Sequence, residues 1–218
     1  MADLFDLFRQ IAKKDPTPVG SPSYLIVGLG NPGLRYRNTR HNAGFLAVDY
    51  LAQTYGFCVD RARFHALTGE ADLNGRRVLF VKPQTLMNAS GLAVGEAADF
   101  YKIPPERILV ISDDTALPVG SVRIRKKGSS GGQKGLNDII VCLGTEEFPR
   151  IRIGIGAKPH PDADLANWVL SEFSKEERQV LDETFPRLKD GLEKILDGDF
   201  DTAMQICNTH RAKDESET

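Results

Sequence analysis

Two short, strongly apolar runs constrain the fold of this chain more than any other feature. Residues 24–30 and 107–112 are too short for typical helices, and they end at glycine and at two acidic residues respectively. Such runs are typical of buried strands in a sheet that is covered on both faces. Segments with helical spacing lie between the strands. This alternation predicts an α/β fold, a single domain with a twisted mixed β-sheet and helices on both faces.

The pattern along the chain predicts the order of the elements. We expect helices at 44–55, at 136–143 and over most of 164–208, and a helix that Asn88 caps and that runs to Tyr101. Strands at 64–73 and 76–82 are joined through Asn74-Gly75, a favoured two-residue hairpin turn. Further strands are expected at 121–125 and 150–156. We assign residues 1–22 to an appendage and linker, 23–208 to the domain, and 209–218 to a polar tail.

The cysteines and the apolar residues exclude several classes of protein. The chain has 3 cysteines, widely spaced and without a C-x-x-C pair, which argues against a disulfide framework or a zinc site. No apolar run approaches the roughly 20 residues of a membrane span. The first residues lack the apolar stretch of a secretory signal. We therefore expect a cytoplasmic protein without a zinc site or a membrane span.

Charge is distributed unevenly along the sequence. The net charge is −2, but residues 1–161 carry 21 Lys and Arg against 15 Asp and Glu, whereas residues 162–208 carry 5 against 12. The first part can thus present a basic face to a nucleic acid, although the same counts also fit two solvated surfaces of opposite sign.

A glycine-rich segment follows the first strand. Gly28-x-Gly30-x-x-Gly33 matches the dinucleotide-binding pattern. That pattern requires a helix opening on the third glycine and an acidic residue at the end of a second strand. Residues 34–41 lack an apolar helical stripe, and Asp49 lies in the predicted helix instead. A nucleotide cofactor is therefore a weak alternative here.

Among the four histidines, His41 has the most informative position. It lies between a polar loop and a predicted helix start, and Asp113 follows the second apolar strand. A carboxylate there can orient an imidazole and make its other nitrogen a base toward water. Asp114 is expected to be a turn or surface group. His65, His160 and His210 are most simply read as surface residues, with His65 in a strand.

Two asparagines and a methionine are candidates for substrate contacts. Asn31 follows the first strand, at the sheet edge where α/β proteins bind ligands. Its amide can grip an amide or ester carbonyl, or it is a turn residue before Pro32. Asn88 either caps a helix or binds a substrate backbone. Met87 is either core or a wall of the site.

A basic, glycine-rich stretch follows. The residues from Ser121 to Leu136 contain five positive charges and no acidic residue, namely Arg123, Arg125, Lys126, Lys127 and Lys134. Cations and exposed backbone N–H groups suit phosphate oxygens, although a solvated loop is an equal alternative. The sequence has no G-x-S-x-G, no cysteine in a nucleophile context and no metal-ligand cluster. Direct attack by water is therefore favoured over covalent catalysis.

Read together, these motifs strongly resemble bacterial-type peptidyl-tRNA hydrolase. They occur in order over roughly Tyr24 to Asn208, and they are Val27-Gly-Leu-Gly-Asn-Pro-Gly33, Tyr36, Thr39-Arg-His-Asn-Ala-Gly44, Lys82-Pro, Met87-Asn-x-Ser-Gly91, Asp113 and Arg150-Ile-Arg-Ile-Gly-Ile-Gly156. The resemblance implies a monomeric α/β enzyme without metal or cofactor. It also implies a reaction that cuts the ester between peptide and tRNA, so that tRNA is recycled.

The resemblance assigns roles to individual residues. It implies that His41 is the catalytic base, Asp113 its partner and Asn31 a contact near the scissile bond. It further implies substrate-binding roles for Tyr36, Met87, Asn88, Gln133 and Lys134. It implies phosphate contacts for Arg125, Lys127 and Arg152.

One motif departs from the family pattern. The common Gly-Gly-His-Asn-Gly is here Gly131-Gly-Gln-Lys-Gly135, so Gln133 replaces a histidine and Lys134 an asparagine. We hypothesise that Lys134 contacts the terminal phosphate or ribose of tRNA. An unchanged salt dependence of tRNA binding in Lys134→Asn would contradict this.

Two alternatives remain open from sequence. Chloroplast splicing factors resemble the same family yet act by binding RNA and a partner, so the chain could be an inactive RNA-binding relative. A dinucleotide-dependent enzyme is the weaker alternative. Hydrolysis of an N-acetylated aminoacyl-tRNA, lost on replacing His41, distinguishes an enzyme from both.

Overall fold

Seven strands form one mixed sheet in the computed structural model, which describes residues 20–208. They are β1 (Tyr24–Gly28), β2 (Arg61–Arg63), β3 (Ala66–Leu73), β4 (Arg76–Pro83), β5 (Ile108–Asp114), β6 (Val122–Arg125) and β7 (Arg150–Gly154). Their order is β2-β3-β4-β1-β5-β7-β6. The central strands β4, β1, β5 and β7 run parallel, and the outer strands pair antiparallel. The predicted mixed sheet is confirmed.

Six α-helices cover the sheet within the described residues. They are α1 (Ala43–Tyr55), α2 (Ser90–Tyr101), α3 (Lys134–Leu143), α4 (Leu165–Val169), α5 (Lys175–Leu196) and α6 (Phe200–Asn208). Four short 3-10 helices lie at Leu34–Tyr36, Arg40–Asn42, Met87–Ala89 and Pro105–Arg107. Helix α5 begins with a capping box between Ser174 and Glu177, which satisfies free N–H groups at its start.

The helices lie on both faces because side chains alternate along each buried strand. In β1, Ile26 packs in a core with α1, α5 and α6, whereas Leu25 and Val27 pack in a second core with α2 and α3. All three side chains are fully buried. Strands buried on both faces therefore read as continuous apolar runs in the sequence.

Close packing explains the glycines that resemble a dinucleotide motif. A β-carbon on Gly28 would overlap the carbonyl oxygen of Gly44, and one on Gly44 would overlap the backbone of Leu29 and Ile111. These glycines let α1 approach β1 and β5. After Gly33 comes a single 3-10 turn rather than an α-helix. The segment therefore lacks the helix N-terminus that holds a pyrophosphate.

The predicted strand at 64–73 is wrong at its start. Residues 61–63 form a separate strand, and Phe64 and His65 form the turn to β3, with φ of 54° and 50°. A two-residue hairpin of this kind requires positive φ at both central residues, which a continuous strand excludes. His65 is therefore a turn residue and not a strand residue.

Two helix starts also differ from expectation. Met87–Ala89 form a 3-10 turn, so α2 begins at Ser90 without a side-chain cap, and the predicted capping role of Asn88 is wrong. Helix α3 begins at Lys134, where Gln133 is the N-cap. Nearly all of the predicted appendage at 1–22 and the whole tail at 209–218 lie outside the described residues, so those boundaries stay predictions.

Candidate active site

A cleft of about 500 Å³ opens at the edge where the parallel strands end. Loops and strand ends that are distant in sequence meet there, as expected for an open α/β sheet. The cleft is lined by Asn31, His41, Leu86, Met87, Asn88, Asp113, Asp114, Thr115, Gly131, Gly132, Gln133, Lys134, Arg152, Leu165, Ala166, Val169 and Leu170.

His41 and Asp113 form a hydrogen-bonded pair in the lining of this cleft. His41 Nδ1 lies 2.8 Å from Asp113 Oδ2, and the two side chains are 11% and 4% exposed. A carboxylate acceptor places the proton of a neutral imidazole on Nδ1, which leaves a lone pair on Nε2. Because Nε2 has no partner among residues 20–208, this nitrogen is available to a water molecule or substrate in the cleft.

Gln133 fixes the second oxygen of Asp113. Its Nε2 donates to Asp113 Oδ1 at 3.0 Å and also lies 3.2 Å from Met87 Sδ. Its Oε1 accepts from Leu136 N at 2.7 Å, which caps helix α3. Both ends of the amide are thus occupied within the protein. Gln133 borders the cleft, but its contacts are those of a residue that orients Asp113.

Asn31 is held by a reciprocal contact with Asn42. Asn31 N donates to Asn42 Oδ1 at 2.8 Å, and Asn42 Nδ2 donates to Asn31 O at 3.0 Å. The side chain of Asn31 accepts from Met87 N at 2.8 Å through Oδ1. No acceptor for Asn31 Nδ2 lies within the described part of the chain. The arrangement leaves that N–H₂ group free to donate into the cleft.

The other predicted substrate-binding residues divide into two groups. Met87, which is 4% exposed, and the exposed Asn88 and Lys134 all line the cleft. Lys134 makes no ion pair with the residues that the structure describes. Tyr36 does not line the cleft, and its ring instead lies 4.4 Å from the Arg35 guanidinium.

Of the three predicted phosphate-binding residues, only Arg152 is among the residues that line the cleft. Its Nε lies 3.1 Å from Asp114 Oδ2 at an angle that does not make a hydrogen bond. Arg125 is exposed on the edge strand β6, and exposed Lys127 pairs with Glu147 at 2.9 Å.

Asp114 differs from its expected position as a turn or surface group. It is 6% exposed and lines the cleft, because β5 continues through it and pairs it with Gly154 of β7. Its Oδ1 also accepts from Ala116 N at 2.9 Å. The carboxylate thus balances the charge of Arg152 at the cleft wall.

A buried arginine supports the glycine-rich loop. Arg150 is 1% exposed, and its guanidinium donates to the carbonyl oxygens of Gly128, Ser129, Glu146 and Phe148. Burial lowers the pKa of this guanidinium, the Arg152 charge lowers it too, and Glu146 opposes the shift. The contacts fix the base of the loop whose tip, at 131–132, borders the cleft.

Part of the cleft lining is apolar. Helix α4 and the residue after it contribute Leu165, Ala166, Val169 and Leu170. Leu165 and Leu170 are 50% and 39% exposed, which is high for large apolar side chains. The cleft lining therefore combines the polar groups of His41 and Asn31 with the apolar side chains of the α4 segment.

Other candidate groups do not form a second centre. His65 is exposed and lies 3.3 Å from Glu96, and His160 is exposed, whereas His210 lies outside the described residues. Residues 20–208 contain no group of three or more His, Cys, Asp or Glu side chains that could hold a metal ion. Over the same residues, no helix has the length and apolarity to cross a membrane.

Sequence reasoning missed two residues that support the site. Asn42 and Arg40 flank His41 and are 2% and 4% exposed. Arg40 binds Ser171, Ile155 and Glu177, all more than 110 positions away in sequence. The only signal was their place in Thr39-Arg-His-Asn-Ala-Gly44, because their partners appear only when the chain is folded.

Comparison with known proteins places this cleft in a family. A family model described as "Peptidyl-tRNA hydrolase" matches residues 25–216. A peptidyl-tRNA hydrolase of Caldicellulosiruptor bescii is 52% identical over 85% of this chain and 96% of its own length. One from Caldanaerobacter subterraneus is 49% identical over 85% of this chain and 99% of its own length.

A solved structure agrees with the sequence relatives. The crystal structure of peptidyl-tRNA hydrolase from Acinetobacter baumannii superposes with a TM-score of 0.81 at 34% identity, covering 88% of this chain and 98% of that chain. The family model spans most of the sequence, and both relatives are matched over nearly their full length. The chain therefore belongs to the peptidyl-tRNA hydrolase family.

Proposed function

We propose that this chain hydrolyses the ester between the peptide and the tRNA in peptidyl-tRNA, with a water molecule that His41 activates. The observation that carries the proposal is the 2.8 Å contact of His41 Nδ1 with Asp113, which leaves Nε2 toward the cleft. Family membership supports the reaction and its substrate. The residue roles rest on the geometry of the cleft.

The proposed reaction begins with proton transfer. Asp113 holds the ring of His41 and stabilises the imidazolium that forms when Nε2 takes a proton from water. The hydroxide attacks the carbonyl carbon of the ester and forms a tetrahedral oxyanion. The imidazolium then returns the proton to the 3′-oxygen of the tRNA as the C–O bond breaks. General-base assistance of this kind contributes about 100- to 10,000-fold.

Amide groups hold the acyl part of the substrate. Asn31 Nδ2 is a donor without a partner among the described residues, and the exposed Asn88 lines the same cleft. Donors placed where negative charge develops stabilise the transition state. A peptide or blocked amine can hydrogen-bond to such groups, whereas a free charged amine leaves them poorly matched. We therefore expect blocked aminoacyl-tRNA to be preferred over free aminoacyl-tRNA.

We expect basic residues to bind the tRNA. Arg125, Lys127 and Arg152 are the proposed phosphate contacts, and Lys134 lines the cleft together with Arg152. Lys127 and Arg152 already have acidic partners, so phosphate must compete with Glu147 and Asp114. Lys134 has no such partner in the described part of the chain, which makes it the strongest single candidate for the terminal phosphate or ribose.

We place the reaction in the cytoplasm and expect a monomer to perform it. The three thiols are unpaired, which fits a reducing compartment. A mass measurement in solution checks the monomer.

The direct test is hydrolysis of an N-acetylated aminoacyl-tRNA. We expect the protein to release tRNA, and His41→Asn to lose nearly all activity while it still binds uncharged tRNA. His65→Asn is the matched control, because His65 is exposed and its acidic partner Glu96 lies outside the cleft. Full activity in His41→Asn contradicts the assigned base, and binding without hydrolysis by the unaltered protein supports the inactive alternative instead.

A further inference from the structure

The loop at residues 31–42 begins and ends with residues of the proposed site. Asn31 and His41 both line the cleft. Asn31 N donates to Asn42 Oδ1 at 2.8 Å, and Asn42 Nδ2 donates to Asn31 O at 3.0 Å, so the two ends of the loop are held together. Compact loops whose ends meet on a rigid scaffold are frequent binding elements, which makes the middle of this loop a candidate contact surface.

Successive turns hold the middle of the loop, residues 33–38, which we call the tip. Tyr36 N donates to Gly33 O at 3.1 Å. Thr39 donates twice to Tyr36 O, from N at 3.0 Å and from Oγ1 at 2.8 Å. Thr39 is buried, and its carbonyl oxygen accepts from Asn42 N at 3.0 Å. These hydrogen bonds fix the position of the tip relative to the proposed site.

The tip is basic and open to solvent. Arg35 and Arg37 are exposed, and the whole loop contains no acidic residue. Neither guanidinium forms an ion pair with any residue from 20 to 208. Leu34 beside them is 88% exposed, so this part of the tip is not packed against the rest of the described molecule. The Arg35 guanidinium lies 4.4 Å from the centre of the Tyr36 ring, a cation–π contact that restricts its conformation before any ligand binds.

Phosphate is the anion that this arrangement favours. A guanidinium can donate two parallel hydrogen bonds to phosphate oxygens. Two of the cations already proposed as phosphate contacts, Lys127 and Arg152, have acidic partners that a phosphate must displace. Arg35 and Arg37 have no such partner in the part of the chain that the structure describes, so phosphate binding at the tip breaks no ion pair there.

The length of the chain places the tip close to the proposed position of the ester. Arg35 is four residues after Asn31, and Arg37 is four residues before His41. Four residues of extended chain span at most about 14 Å. In the proposed function the ester lies beside Asn31 and His41 and joins the acyl group to the last nucleotide of the tRNA. The phosphates within this distance therefore belong to the last few nucleotides of the 3′ end, which are single-stranded in tRNA.

We infer that Arg35 and Arg37 bind backbone phosphates of the single-stranded 3′ end of the tRNA. The inference rests on the proposed function and adds contacts that lie outside the residues lining the cleft. Lys134 stays the candidate for the terminal phosphate or ribose, and the two arginines bind the phosphates before it. Such contacts position the strand and do not depend on its base sequence. They strengthen binding and take no part in the proton transfer at His41.

The test measures the dissociation constant of a short, unacylated, single-stranded RNA that ends in CCA, at increasing salt concentration. Each phosphate contact with a single strand contributes about 0.7 to the slope of log affinity against log salt concentration. We expect Arg35→Gln/Arg37→Gln to bind this RNA more weakly at low salt and to reduce the magnitude of the slope by about 1.4. Both side chains are exposed, so the substitutions should leave the fold intact.

Two further variants show whether the effect belongs to these side chains. Lys102→Gln/Arg107→Gln removes the same charge from exposed positions in the connection between α2 and the start of β5, at the sheet edge opposite the cleft. Its slope should equal that of the unaltered protein. Arg35→Lys/Arg37→Lys keeps both charges and should keep most of the slope. It should still lose affinity, because an ammonium cannot donate the paired hydrogen bonds of a guanidinium.

Hydrolysis of an N-acetylated aminoacyl ester on the same RNA separates binding from chemistry. In Arg35→Gln/Arg37→Gln we expect KM to rise and kcat to stay that of the unaltered protein, because the proposed contacts are with phosphates and not with the ester. A fall in kcat with an unchanged KM would contradict a binding role for the two arginines.

The outcomes distinguish the inference from the proposed function. If the unaltered protein cleaves no ester but the variant shows the predicted loss of slope, the RNA contacts stand and the hydrolase fails. If the slope of Arg35→Gln/Arg37→Gln equals that of the unaltered protein or of the Lys102 and Arg107 control, the inference is overturned and ester cleavage still supports the hydrolase. A loss of slope on whole tRNA but not on the short RNA overturns it too, because the arginines then bind the double-stranded part.

Discussion

Gln133 binds the oxygen of Asp113 that His41 does not use, and its own carbonyl oxygen caps helix α3. One amide therefore orients the carboxylate that orients the proposed base. The link also ties the start of a helix to the cleft, so a change at Gln133 should alter both stability and activity.

Replacing Gln133 tests this double role. Gln133→Ala removes a helix N-cap and leaves Asp113 Oδ1 without its donor, so we expect the free energy of unfolding to fall by about 1–3 kcal/mol. We also expect kcat to fall more than KM changes, because the ring of His41 loses orientation rather than substrate contacts. Urea unfolding and steady-state kinetics measure the two effects. Loss of stability with unchanged kcat would show that Gln133 is only a cap.

The hydrogen bonds between the Asn42 side chain and the Asn31 backbone lead to a separate prediction. Asn42→Ala leaves the buried N–H and C=O of Asn31 without partners, which should cost about 1–3 kcal/mol of stability. Because Asn31 then no longer holds its place beside Met87 N, KM for a blocked aminoacyl-tRNA should rise. A KM equal to that of the unaltered protein, measured on folded Asn42→Ala, contradicts the proposed role of Asn31.

The glycines at the junction of α1 and the sheet should not tolerate a side chain. Gly44→Ala forces a methyl group into the backbone of Ile111 and Leu29, so we expect severe destabilisation, about 4 kcal/mol or more. Gly95→Ala is the matched control within helix α2, where a β-carbon meets nothing within 4 Å. That change should stabilise the protein by about 0.5–1 kcal/mol. In thermal melts we expect the melting temperature to fall in Gly44→Ala and to rise in Gly95→Ala.

The three thiols should differ in reactivity. Cys58 and Cys142 are exposed, whereas Cys207 is buried, and burial raises the pKa of its thiol to about 11 from an ordinary 9.0. Burial and the charge of Asp138 raise the pKa of Cys142 as well, so Cys58 should react first. A disulfide reagent at pH 8 should label two thiols quickly and the third only on unfolding. Rapid labelling of all three in the folded protein contradicts this order.

The Cys207 thiol should also make the free energy of unfolding depend on pH. The pKa of the Cys207 thiol is higher in the folded protein than in the unfolded chain. Its contribution to the free energy of unfolding is therefore fully present below pH 9 and is lost as the pH rises toward about 11. Cys207→Ser should weaken this alkaline loss. The free energies of unfolding of the unaltered protein and of Cys207→Ser, measured at pH 8 and at pH 10.5, check this prediction. An equal loss of stability between the two pH values in both proteins would contradict it.

Much of the architecture could be predicted because the signals are local. The apolar run at 24–28 forms a strand, the turn at Asn74-Gly75 joins β3 to β4, and the spacing after Ala43 forms a helix. Asp113 lies near the carboxyl end of β5, and His41 lies in the 3-10 turn before α1. The predicted contact between them is present, although their roles stay proposals.

The parts that could not be predicted depend on partners far apart in sequence. Arg40 binds Glu177 across 137 positions, and no local pattern marks the two as neighbours. Asp114 is drawn into the cleft because β5 pairs with β7 for two residues beyond the apolar run. The Phe64–His65 turn was missed because bulky residues rarely adopt positive φ.

The central claim is that His41 and Asp113 act as one unit on a water molecule, and a double-mutant cycle on single-turnover hydrolysis of an N-acetylated aminoacyl-tRNA tests it most directly. His41→Asn and Asp113→Asn should each slow ester cleavage by about 100- to 10,000-fold. The double variant should be little slower than His41→Asn alone, because residues that act as a unit are not additive. Rates that fall by the product of the two single effects, or an Asp113→Asn protein that cleaves at the normal rate, would contradict the account.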